Sequence, residues 1–159
     1  MTTLYIRSAE GFRAAEPAEV FDRAKALIAQ RYRAGSPVLS APALTRDYLR
    51  LHIGPCDYEQ FGMLHLDGRH RLIRAEILFR GTVAAAAVYP REVVKAALAS
   101  NAAAIILFHN HPSGAPEPSH ADELITSRLK EALALVEIRI LDHLIVAEGF
   151  YSFAEAGRL

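Results

Sequence analysis

The sequence has a single cysteine, Cys56, so one chain can form neither an internal disulfide nor a cysteine-rich zinc site. That suits a reducing cytosol and a cytoplasmic protein. Net charge is also absent: Lys plus Arg and Asp plus Glu number 18 each, leaving no global basic field to draw the chain to nucleic acid or a membrane. No run approaches the roughly 18 apolar residues of a membrane span. The N-terminus, MTTLYIRSAEGFRAA, lacks the charged start and apolar core of a secretory signal. Internal repeats and low-complexity segments are missing too. What remains is 159 residues, 52% hydrophobic and 23% charged, the size and composition of one domain with a substantial core.

One stretch stands out, HNHPSGAPEPSHAD, from His109 to Asp122. The run before it, NAAAIILF, is short and continuously apolar, the pattern of a strand buried on both faces. His109 therefore lies where that strand ends. Side chains alternate along a strand, so His109 and His111 point one way and Asn110 the other. The Pro- and Gly-rich PSGAPEP breaks the strand into a shaped loop, in which Gly114 suits a positive φ or a close backbone approach. Beyond it Ser119 is a good N-cap and Asp122 falls at the third helical position, so the loop can return a carboxylate to the two imidazoles. Two imidazoles and a carboxylate are the donor set of an open zinc site, with the fourth position left for water. The plainer reading makes Ser119-x-x-Asp122 an ordinary capping box.

Along the chain, Thr3 to Arg7 reads as a short strand and Pro17 to Arg33 as a helix, with Val20, Ala24, Leu27, Ile28 and Tyr32 on one face. A second helix is expected from Ala41 to about Ile53, striped with Leu44, Tyr48, Leu49 and His52. From Glu59 the pattern turns to strands: EQFGMLHLD, a hairpin turn at Asp67-Gly68, HRLIRAEILFR, then TVAAAAVY. Pro90 opens a helix closed near Asn101, and the buried strand follows. The Ser119 helix runs to about Leu135, and EIRILDHLIVAEG and FYSF form the last strands. This order predicts an α/β fold, a mixed β-sheet sandwiched by helices.

The pattern H-x-H, seven residues, S, two residues, D, filled by His109, His111, Ser119 and Asp122, resembles the metal motif of the JAMM metalloproteases of the JAB/MPN superfamily. Within it, LTRDYLRL, LDGRHRLIRAEILFRGT, VYPREVVKAALASNAAAIILFHNHPSG, PSHADELITSRLKEALALVEIRILDHLIV and SFAEAGRL are similar to the bacterial RadC-like proteins, from roughly Leu44 to the C-terminus. The resemblance implies a JAB/MPN-like (cytidine-deaminase-like) domain over residues 41–159, preceded by a strand/helix extension over residues 1–40. It also implies a short form without a complete helix-hairpin-helix region. Zn2+ is the implied cofactor, held by His109, His111 and Asp122, and the implied reaction is hydrolysis of peptide or isopeptide bonds in a peptide or protein substrate. In such enzymes an upstream strand glutamate is the general acid/base, and A-E-I-L-F matches Glu76 to it. The plainer reading of Glu76 is a surface strand glutamate. A carboxylate beside zinc-activated water can take its proton and pass it to the leaving amine. Ser119, by the same resemblance, steadies the oxyanion, provided capping does not occupy its hydroxyl fully.

Rival classes fare worse. A nucleic-acid deaminase needs a P-C-x-x-C pair that one cysteine cannot supply. The literal H-N-H suggests an HNH nuclease, but the spacing to Asp122 fits the protease motif better. The main alternative is a binding module with a non-catalytic metal site, near DNA if the historical DNA-repair label of RadC-like proteins is followed, although the charge balance lends nucleic acid no support. Asp142 and His143 alternate on a strand; a structural histidine is the commoner reading, a place behind the metal ligands the other. His65, His70 and His120 lack partners at useful spacing, and His65 and Cys56 depart from the family pattern. Exposed strand edges are expected to admit an extended peptide by β-addition.

Overall fold

The computed structural model describes residues 3–8, 11–31, 42–54, 56–82 and 87–159. Its elements are β1 (Tyr5–Ser8), β2 (Gly11–Ala14), α1 (Pro17–Arg31), α2 (Pro42–Ile53), β3 (Gln60–Leu66), β4 (Leu72–Arg80), α3 (Pro90–Ala99), β5 (Ala104–Asn110), α4 (His120–Ala134), β6 (Arg139–Val146) and β7 (Phe150–Ser152). All seven residues of β5 are buried, as its unbroken apolar run requires. Around it the main sheet runs β4-β3-β5-β6-β7. Among the described strands only β5 and β6 pair in parallel, and α4 is the crossover that such a pair needs.

Alternation along β5 divides the core. Ala104, Ile106 and Phe108 face a cluster with Tyr48, Leu49 and Ile53 of α2, while Ile105 and Leu107 face Val93 and Ala97 of α3 and Leu129 and Leu133 of α4. The sheet is thus covered on both sides, the expected α/β sandwich with a mixed sheet. Each large apolar side chain buried this way contributes roughly 1.5–3 kcal/mol. On β6 the same alternation sends Leu144 and Val146 to the α2 side and leaves His143 and Ile145 for the side of α3 and α4. His109 and His143 therefore share one face by strand periodicity alone.

Several local expectations change. Thr3 to Arg7 becomes β1, which pairs antiparallel with β2, a strand that four exposed residues did not announce. The hairpin between β3 and β4 turns over residues 67–71, with Asp67 Oδ1 accepting from the Arg69 and Arg71 amides and the positive φ at His70 rather than at Gly68. TVAAAAVY does not form the expected strand at Thr82 or over residues 87–89, and its centre, residues 83–86, lies outside the described residues. Tyr32 and the expected helix stop at Gly35 and Pro37 also lie outside them. Among the described residues no helix is long and apolar enough to cross a membrane.

Candidate metal centre

β5 ends by delivering His109 onto the α4 side of the sheet. Two residues on, His111 points the same way, and the imidazole Nε2 atoms stand 2.9 Å apart. The loop then turns at Gly114, whose φ of +84° is the left-handed conformation that the sequence anticipated. Ser119 caps α4 in a full capping box, and the carboxylate of that box belongs to Asp122. Asp122 Oδ1 lies 3.2 Å from His109 Nε2, and Oδ2 lies 3.5 Å from His111 Nε2. His109, His111 and Asp122 thus form a cluster able to hold a metal ion, with one donor atom from each within 4.8 Å of the others. Capping and clustering are one arrangement, because the cap aims the carboxylate.

The remaining ring nitrogens decide what that cluster offers. His111 Nδ1 lies 2.8 Å from the Ala115 carbonyl, an acceptor only, so Nδ1 carries the hydrogen and Nε2 the lone pair. His109 Nδ1 lies 2.8 Å from Nε2 of His143, which is completely buried. Thr126 of α4 closes the circuit, with Oγ1 2.7 Å from His143 Nδ1 and 2.5 Å from the Asp122 carbonyl, to which it donates. Two imidazole lone pairs and a carboxylate face one another here, and only a cation or a proton can satisfy all three. Without a metal, a proton answers part of this demand: hydrogen bonding to Asp122 raises the His111 pKa, with a contribution from the negative charge of Glu59. Burial pushes Asp122 upward, but its contacts with the two imidazoles and the Ser119 hydroxyl outweigh it and hold its carboxyl well below the usual range. Burial and the nearby His109 push His143 well below its ordinary pKa, so it is neutral. The donor set fits a divalent ion of zinc type, with nitrogen and oxygen ligands and an open side.

Ser119 and Glu76 are placed less simply. The Ser119 hydroxyl accepts from the Asp122 amide at 3.2 Å and donates to Asp122 Oδ2 at 2.6 Å, so its one hydrogen is engaged with the ligand carboxylate. Glu76 is not brought to the cluster. It stands opposite Met63, which stands opposite Leu107, two residues short of His109 and a further strand away. With strand spacings of about 4.8 Å and a rise of about 3.3 Å per residue, their Cα atoms lie roughly 12 Å apart. The Glu76 carboxylate contacts His65 Nε2 at 3.1 Å and Arg74 at 2.8 Å instead.

A second carboxylate whose negative charge reaches His111 is that of Glu59. Phe61 pairs with His109 at the end of the antiparallel β3–β5 register, and Glu59 lies two residues before Phe61, on the same face by strand alternation. Asn110, the residue between the histidines, points away from the cluster and fixes that segment. Its Oδ1 accepts from the Gln60 amide at 2.7 Å, and its Nδ2 donates to the Tyr58 carbonyl at 3.0 Å. Asn110 thus grips the chain on both sides of Glu59. Asp142 holds the C-terminal turn through His143 N, Ser152 Oγ and Ala154 N.

Comparison with known proteins agrees with this geometry. A family profile described as the RadC-like JAB domain matches residues 39–158. A UPF0758 protein of Leptothrix cholodnii is 59% identical over 124 residues, covering 77% of this chain and 56% of that protein. One of Methylibium petroleiphilum is 55% identical over 146 residues, 91% of this chain and 65% of its own length. A third, from Vibrio cholerae, is 53% identical over 140 residues and 88% of each chain. Against the first two, this chain spans less than two thirds of the relative's length. A profile match across most of the chain, over a fold that assembles the His109, His111 and Asp122 cluster, makes the chain a member of the RadC-like JAB domain family.

Proposed function

We propose that this chain is a zinc-dependent hydrolase of peptide or isopeptide bonds, acting in the cytoplasm, with His109, His111 and Asp122 holding the ion and Glu59, in place of Glu76, as general acid/base. The observation that carries the reading is the convergence of two imidazole lone pairs and the Asp122 carboxylate, with the negative charge of Glu59 felt at His111. A zinc ion supplies Lewis acidity when bound, polarising a carbonyl and acidifying water toward pKa ~7. Glu59 takes the proton of the attacking water and returns it to the leaving amine, which keeps ligand and base on separate carboxylates. Asn110 keeps Glu59 in reach. Ser119 orients Asp122, and its hydroxyl reaches an oxyanion only after releasing Oδ2. Among the described strands β4 is an edge of the main sheet, where an extended substrate would add as a further strand, and protection of β4 amides from exchange on adding peptide would reveal it.

The test pairs metal analysis with turnover. Untagged protein should carry close to one zinc per chain, lost in Asp122→Ala. Glu59→Gln should retain zinc and lose hydrolysis of peptide and isopeptide substrates by about 10²–10⁴-fold. A wild type that takes up no zinc when zinc is supplied, or a Glu59→Gln variant with full activity, would sink the assignment.

A further inference from the structure

The two contacts of Thr126 determine more than a helix position. Its hydroxyl has one hydrogen, and the Asp122 carbonyl can only accept, so that hydrogen points to the carbonyl. At 2.7 Å from His143 Nδ1 the same oxygen must then be an acceptor, and His143 carries its hydrogen on Nδ1. A neutral imidazole has one hydrogen, which leaves His143 Nε2 as a lone pair. At 2.8 Å from it, His109 Nδ1 must donate, and His109 Nε2 is left bare toward His111 and Asp122. Four side-chain and backbone groups on α4, β6 and β5 thus dictate the state of one nitrogen. Reversing any hydrogen in the series would place two donors or two acceptors against each other inside a buried region, where an unpaired polar group is costly.

We propose that Thr126 and His143 are positioning residues that lock His109 in the Nδ1–H tautomer, so that Nε2 is a preformed metal donor before any ion arrives. The lock rests on the metal-site reading above. It also ties the ligand pair together: the Asp122 carbonyl receives the hydrogen that starts the series, and the Asp122 carboxylate meets the nitrogen that ends it. Helix α4 therefore supplies one ligand directly and programs another through β6. Phe61 and Phe153 stack against the rings of His109 and His143 respectively, at centroid distances of 6.1 and 4.9 Å, which holds the two ring planes.

The deciding experiment reads the tautomers of the metal-free protein by long-range 1H–15N correlation of imidazole nitrogens at mildly alkaline pH, alongside zinc affinity by competition with a chelator. Wild type should show His109 and His143 protonated at Nδ1. Thr126→Val should scramble both assignments and weaken zinc binding by about 10–100-fold, the usual penalty for losing support behind a ligand. Thr126→Ser, which keeps the hydroxyl, and His143→Gln, whose side-chain carbonyl can accept from His109, should stay near wild type and control for folding. Zinc uptake by wild type and its loss in Asp122→Ala test the metal site separately. A hydrogen found on His109 Nε2 in metal-free wild type overturns the lock, as does Thr126→Val holding zinc as tightly as wild type while Asp122→Ala loses it.

Discussion

Two histidine and carboxylate clusters lie against the same face of the sheet, one under the start of α4 and one under the end of α3. In the second, His65 places Nδ1 2.6 Å from Ser100 Oγ and Nε2 3.1 Å from Glu76, and Arg74 sits 2.8 Å from the same carboxylate oxygen. The contacts at Glu76 are not aligned hydrogen bonds, but the sum is neutral: one guanidinium answers one carboxylate. Burial and the Arg74 charge push the His65 pKa down, so the ring stays uncharged. Among the described residues no lysine or arginine pairs with Asp122 in the first cluster. Both imidazoles turn bare nitrogens inward because their other nitrogens are committed elsewhere. A metal site is therefore distinguished by an unanswered demand for positive charge, and residue types alone do not separate the two clusters.

Substitutions can test that distinction, from the strongest outcome down. Asp122→Ala should abolish zinc retention, read by elemental analysis, whereas Glu76→Ala should leave zinc content unchanged. Glu59→Gln and Glu76→Gln should split in turnover, the first falling by about 10²–10⁴-fold and the second keeping the wild-type rate. Asn110→Ala removes the grip on the Glu59 segment, unpairing the Gln60 amide and the Tyr58 carbonyl. It should keep zinc, lower turnover by up to about 100-fold through misplacement, and cost about 1–3 kcal/mol in denaturant unfolding. His65→Leu should be the mildest: stability within about 1 kcal/mol of wild type and unchanged zinc affinity, because Arg74 still answers Glu76. If His65→Leu released zinc, the two clusters would not be independent.

How much of this was legible in the sequence depended on the range of the interactions. His109 and His111 share a face because strand side chains alternate, and Asp122 reaches them because a serine N-cap fixes where the helix begins; both rules are local. The α/β order of the C-terminal part was readable from the same periodicities. Glu59 was not, because its place follows from β3 pairing with β5 in a register between residues about 50 positions apart. AEILF looked equally suitable for a base until that register set Glu76 against Met63. His143 could be flagged as a strand histidine, but its partner depends on the parallel pairing of β5 with β6. Thr126 had a signal that went unused: it lies four residues after Asp122, on the same side of the helix.

The Asp122 carboxylate has two occupations. Oδ2 accepts from the Ser119 amide at 2.7 Å and closes the capping box, while Oδ1 is turned to His109. Fraying of the first turn of α4 therefore withdraws a ligand, and an ion in the cluster in turn protects that turn from opening. Local helix opening, which amide exchange measures directly, is therefore linked to the ligand set. On the proposed function, each opening of the first turn of α4 would take one of three ligands from the ion.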